Sequence, residues 1–192
     1  MIERSKQRIR DRIWALLERE GAAKPPGRVV GKIPNFVGAE AAADQLAALP
    51  AWEAAAKEGA AKAGRKVAAS ELPLVDLVVC GSVAVNRQGA RIGKGGGFSD
   101  LEVAFLVEAG VIRPDTILAT TVHPLQVVDE PLPETIHDFR VDLIVTWDET
   151  LWCAEPHRPP GILWEHLQQD KISEVPALAA LAAGRRDSEA TG

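Results

Sequence analysis

Four glycines fall within five consecutive positions in the stretch Gly93-Lys94-Gly95-Gly96-Gly97. Glycine tolerates positive φ and carries no side chain, so successive backbone N–H groups can turn inward around an anion. An apolar run leads into this segment and an apolar, helix-like segment leaves it. The N-terminus of that helix would add free N–H donors and positive potential. Arg91 and Lys94 bring mobile positive charge, and Asp100 offers the oxygen ligand that magnesium prefers. Together these are the parts of a cradle for nucleotide phosphates. The same glycines also suit a tight strand-to-helix turn that binds nothing. The pattern is not a Walker A loop, because no Gly-Lys-Ser/Thr closes it. It is not a dinucleotide fingerprint either, since Phe98 stands where the last glycine of G-x-G-x-x-G belongs.

The elements that must position this turn follow from hydrophobic periodicity. Ile9, Ile13, Trp14, Leu16 and Leu17 recur at helical spacing, predicting a helix over Ile2 to Glu20 with Gly21 as its C-cap. Lys24 to Gly31 is a loop by its prolines and glycines. Glu40 to Leu49 and Ala51 to Ala63 read as alanine-rich helices separated by Pro50. Val75 to Val79, extended beyond Gly81 by Val83 to Val85, has the near-continuous apolar character of a strand buried on both faces. Leu101 to Gly110 reads as a helix, and Thr116 to Val122 and Val141 to Thr146 as strands. This order predicts an α/β open sheet with helices on both faces and a ligand beside the carboxyl ends of its strands. Residues 1–153 are expected to form that domain, and residues 154–192 a C-terminal extension whose polar tail from Gly184 is disordered. Trp147, Trp152 and Trp164 are expected to pack this segment onto the sheet, and His123 and His137 to be polar loop or packing residues.

A chain of 192 residues can bury a sizeable core as one domain. Its net charge of -5 speaks against a nucleic-acid-coating surface. Cys80 and Cys153 are too few for a disulfide framework or a zinc motif. The start of the chain has no apolar signal core, and no apolar run is long enough for a bilayer. The expectation is a cytoplasmic protein, monomer or homodimer, with a small-molecule substrate and neither nucleic acid nor membrane as partner.

Arg91-Ile92-Gly93-Lys94-Gly95-Gly96-Gly97-Phe98-Ser99-Asp100 resembles the signature Arg-Leu-Gly-x-Gly-x-Gly-Tyr-Tyr-Asp of the 5-formyltetrahydrofolate cyclo-ligase (5,10-methenyltetrahydrofolate synthetase) family. Lys6 and Arg10 are similar to the family's N-terminal Lys-x-x-x-Arg, and Pro133 to Asp138 followed by Val141-Asp142 to its C-terminal segment. Ile33-Pro34-Asn35-Phe36 and Gly81-Ser82-Val83-Ala84-Val85 resemble a divergent, synthetase-domain-containing branch. The resemblance implies a three-layer cyclo-ligase fold and ATP-driven conversion of 5-formyltetrahydrofolate to 5,10-methenyltetrahydrofolate. It implies that Lys6, Arg10, Arg91, Gly93, Lys94, Gly95, Gly96, Gly97 and Phe98 hold ATP, and that Asp100 and Asp138 hold Mg2+. By spacing alone, Lys6 and Arg10 are solvated helix charges and Asp138 a turn residue.

Three features depart from the family pattern. The chain has no tyrosine, so the signature's Tyr-Tyr pair is Phe98-Ser99. Ala51 to Arg65 shows no strand signal where family members carry strands of the folate pocket, which predicts a shortened central region. The segment after Thr146 carries no recognised motif. These departures leave open an alternative: a non-catalytic nucleotide-binding or interaction module that keeps the fold.

Overall fold

The computed structural model describes residues 1–25, 28–49 and 71–190. The alanine-rich helix expected over Ala51 to Ala63, and with it the shortened central region, lies outside the described residues. A four-stranded sheet runs in the order β1-β4-β6-β7, formed by Val75–Val79, Ile112–Thr121, Leu143–Val145 and Thr150–Trp152. The first three strands are parallel, with Leu77 opposite Ile117 and Ala119 opposite Leu143; β7 returns antiparallel, Val145 opposite Thr150.

Side chains on a strand alternate between faces, and here each face acquires its own helix. Ala119, Leu143 and Val145 point to α2 (Ala39–Ala47) and pack with its Ala42 and Leu46. Leu118 and Ile144 point the other way, to Val103 of α3 (Phe98–Glu108). The result is a three-layer α/β arrangement. The amphipathic helix α1 (Ile2–Arg19) buries Ile13, Trp14 and Leu17 against Val83, Ala84 and Ile92.

Those last residues belong to a second sheet, which corrects the sequence reading. The apolar run does not continue as one strand through Val85. The chain leaves the large sheet after Val79, and β2 (Ala84–Asn86) pairs with β3 (Arg91–Ile92) and β5 (Val127–Val128) in the order β3-β2-β5. The break is at Gly81, where a Cβ would lie 2.6 Å from Cγ2 of Ile33, so only a bare backbone passes. Polar bonds then stitch the sheets together. The Ser82 and Thr120 hydroxyls meet at 2.9 Å, and Gln126 Nε2 donates to the carbonyls of Ser82 and Val83 at 2.9 and 3.2 Å. Nor is β1 buried on both faces. It has one neighbour among the described residues, and its positions are half-buried or exposed.

Two short segments complete the chain, α4 (Gln169–Glu174) and α5 (Pro176–Ala190). The tail expected to be disordered is helical as far as Ala190, in keeping with the helix propensity of its alanine, arginine and glutamate residues. Trp164 packs near Ala104 and Ile162. Trp147 stacks edge-on to the buried His123 with ring centroids 4.3 Å apart, whereas Trp152 is exposed. No helix among the described residues is long and apolar enough to cross a membrane.

Candidate functional site

The glycine turn joins the short strand β3 to α3, and it opens onto a cleft of about 380 Å³. Lys6, Arg10, Arg91, Gly93, Lys94, Gly95, Gly96, Gly97, Phe98, Asp100 and Asp138 all line this cleft. The topology explains the convergence. Helix α1 lies on the small sheet that contains β3, so the one-turn spacing of Lys6 and Arg10 faces the loop that β3 feeds.

Within the turn, Gly95 and Gly97 have φ of 107° and 66°, in the region that favours glycine. Gly97 is the N-cap of α3 and, as a glycine, supplies no capping side chain of its own. Gly96 is required for a different reason: a Cβ there would lie 2.7 Å from Cδ2 of the Phe98 ring.

Three buried cations hold the surroundings. Arg10 donates from Nε to the Gly93 carbonyl at 2.8 Å and from Nη1 to Glu3 and Gln7 at 2.6 and 3.1 Å. It therefore braces the first residue of the turn. Arg91 donates to Asp100 Oδ1 at 3.0 Å and to the Gly81 carbonyl at 3.3 Å, with its guanidinium 4.6 Å from the ring centroid of the buried Phe139. Its Nε–H is buried and meets no acceptor among the described residues. Lys6 donates from Nζ to Asp138 Oδ1 at 2.5 Å, while Asp138 Oδ2 accepts from the Thr135 N–H and hydroxyl at 2.5 and 2.7 Å. Lys94 stands exposed at the lip.

The two carboxylates differ in character. Burial pushes the Asp100 carboxyl above its ordinary value of 3.8, Arg91 opposes this, and the nearby Asp138 charge adds to it. Burial pushes Asp138 up as well, but the bonds from Lys6 and Thr135 outweigh it and hold that group below its ordinary value. One acid is thus already neutralised by a lysine, and the other still favours a further cation beside it.

Several cleft residues had no signal in the sequence. Glu3 acts through Arg10, and the buried Phe139, which does not line the cleft, acts through Arg91. Thr135 could have been found, since a threonine three positions before an aspartate is a local turn pattern. The segment from Pro159 to Leu167 lines a wall of the cleft and matches no motif.

A model of the 5-formyltetrahydrofolate cyclo-ligase family matches residues 56–147. The methenyltetrahydrofolate synthase domain-containing protein of Mus musculus is 35% identical, over 92% of this chain and 63% of its own length. Its Homo sapiens counterpart is 29% identical, over 93% and 62%. The chain therefore spans about three fifths of the length of these relatives. Among solved structures, the 5,10-methenyltetrahydrofolate synthetase of Aquifex aeolicus is 15% identical with a TM-score of 0.45, over 87% of this chain and 100% of that one. The glycine turn lies inside the residues matched by the family model, and the Mus musculus relative aligns over 92% of this chain, so the chain is similar to the 5-formyltetrahydrofolate cyclo-ligase family across its site.

Proposed function

We propose that the chain is an ATP- and Mg2+-dependent cyclo-ligase that converts 5-formyltetrahydrofolate, or a closely related reduced folate, to its methenyl form. The observation that carries this reading is the cleft itself: a helix N-terminus entered through glycine and a glycine turn ringed by Lys6, Arg10, Arg91 and Lys94, with Asp100 and Asp138 beside them. Phosphate groups suit such donors. Residues 1–153 are the cyclo-ligase-like unit in this reading, 154–192 add a wall to its cleft, and the cytoplasm is where the protein works.

The chemistry transfers the γ-phosphoryl group of ATP to the formyl oxygen. N10 then attacks the formyl carbon, the carbon–oxygen bond to phosphate breaks, and N10 gives up its proton. The turn amides and the cations hold the phosphates, and their fixed charge stabilises the transferring group. Asp100 fits a magnesium ion: it is a carboxylate lining the cleft whose Oδ1 accepts from Arg91, and a cation would offset the burial that raises its pKa. Asp138 would be the second ligand, although both its oxygens already accept hydrogen bonds. Magnesium held there would offset the charge of the phosphates.

Asp100→Asn is expected to fold and to lose the magnesium dependence of nucleotide binding. In the parent protein that dependence falls as pH drops through the raised pKa of Asp100, so the loss begins above 3.8. Calorimetric ATP titrations with and without Mg2+ across that range check both statements. An unaltered magnesium dependence in the variant removes Asp100 from the site.

Hydrolysis of ATP by the purified protein, followed with and without 5-formyltetrahydrofolate together with the absorbance of the methenyl product, tests the reaction. Product formation is the expected result. ATP binding without product would favour a non-catalytic module, the reading suggested by Phe98-Ser99 in place of two aromatic hydroxyls.

A further inference from the structure

The segment from Pro159 to Leu167 lies outside the residues matched by the family model, yet Gly161, Ile162, Leu163 and Leu167 line the cleft. It has no strand or helix of its own beyond one short turn at Trp164–His166, so something else must hold it. The holder is Glu108, the last residue of α3. Its Oε2 accepts from the Ile162 N–H at 2.8 Å and its Oε1 from the Trp164 indole Nε1–H at 2.9 Å. Further along, a ring nitrogen of His166 meets one of His137 at 3.1 Å, tying the segment to the neighbour of Asp138. Gly161 has φ of 118°, and a Cβ there would lie 3.2 Å from Glu108 Oε2.

We propose that Glu108 is a positioning residue: it fastens this strap onto α3 so that Ile162, Leu163 and Leu167 form an apolar wall for a flat heteroaromatic ring of a bound substrate. The inference rests on the reading of the cleft as a cyclo-ligase site. Helix α3 then serves the site at both ends. Its first turn carries Asp100 and faces the phosphates, and its last residue fixes the wall. The strap packs with Leu101, Ala104 and Phe105, from the end of that first turn to about one turn beyond it, where a ring attached to the phosphate-bearing part of one substrate or lying beside it would come to rest. Both substrates carry such a ring, the adenine of ATP and the pyrimidine ring of the folate's tetrahydropteridine. An ionised carboxylate can accept both N–H groups, whereas an amide must turn its own NH2 toward one of them.

Two measurements on the whole chain decide the matter. In Glu108→Gln, hydrogen exchange of the amides from Gly161 to Leu167 is expected to speed up at least about tenfold, a change that loss of one charged hydrogen bond supports. Binding of ADP and of 5-formyltetrahydrofolate is then titrated separately, and one of the two affinities is expected to fall about tenfold. A loss confined to ADP puts adenine on the wall; a loss confined to the folate puts its pyrimidine ring there. Gly161→Ala, which keeps the Glu108 carboxylate but disturbs the strap by strain at φ of 118° and by crowding Oε2, is expected to shift the same affinity. Unchanged exchange in Glu108→Gln overturns the clamp, and faster exchange with both affinities intact overturns the wall. If the parent protein binds neither ligand, the cyclo-ligase reading and the wall's role fall together, while the exchange result alone still decides the clamp.

Discussion

Gly95→Val is expected to lower ATP affinity at least about 100-fold, close to 2.7 kcal/mol, in a protein that still folds. Two effects of the substitution act together. At φ of 107° a β-branched residue is strained by about 1–3 kcal/mol, and the chain relieves that strain by rotating the peptide groups on either side. Those peptides carry the N–H groups that would face the phosphates. The new Cβ would also lie 3.5 Å from Arg10 Cζ and Nη1, so the valine methyls press on the guanidinium that braces the Gly93 carbonyl. Gly110→Ala is the control. Gly110 has φ of 70°, and a Cβ there meets nothing within 4 Å, so it shares the strain at a position that does not line the cleft. Calorimetric titration with ATP, beside denaturant unfolding of both variants, separates the effects. Equal losses of ATP affinity in the two would mean that backbone strain, and not the cradle, is responsible.

The parts of this molecule that were legible in the sequence are those whose signal is local. The periodic Ile9, Ile13, Trp14 and Leu17 mark α1, and its helical frame carries Lys6 and Arg10 on one face without further information. Grouped glycines between an apolar run and a helix mark the turn. The strand expected over Thr116 to Val122 exists and begins earlier, at Ile112, because Arg113 and Asp115 face outward on one end of β4 and dilute its apolar pattern.

What the sequence does not disclose depends on partners distant along the chain. Val75–Val79 and Val83–Val85 look alike by composition, yet they enter different sheets because Ser82, Thr120 and Gln126 meet between them, residues separated by up to 44 positions. The edge position of β1 is equally invisible, since a Val-rich strand has the same composition whether it has one neighbour or two. The strap is the clearest case. Its role comes from Glu108 and His137 reaching it from 54 and 29 positions away, and neither spacing forms a motif. On the cyclo-ligase reading proposed above, the site has a locally encoded phosphate side and a ring side assembled by tertiary contacts. The tyrosine-free turn belongs to the first, where Phe98 keeps an aromatic face over Gly96.

Lys6→Ala should have the largest effect on stability. Lys6 and Asp138 pair with only 9% of each side chain exposed, and removing one partner of a buried pair costs about 3–5 kcal/mol because the other charge is left uncompensated. The pH dependence carries the signature. In the parent protein the folded pKa of Asp138 lies below its unfolded value, so its contribution to stability is present above 3.8 and is lost as acid takes the pH through the folded pKa. Without Lys6, one of the two residues that hold the folded pKa down is gone and that pKa rises, so the stability gained between acid and neutral pH shrinks. Denaturant unfolding from neutral to acidic pH reads this directly. Adding Asp138→Asn removes the orphaned charge and is expected to recover most of the lost stability at neutral pH, while ATP affinity stays low because the Lys6 ammonium is missing from the phosphates. Recovery of both stability and ATP affinity in the double variant would take Lys6 out of the phosphate site and leave it a structural partner of Asp138. Recovery of neither would show that the pair does not account for the loss.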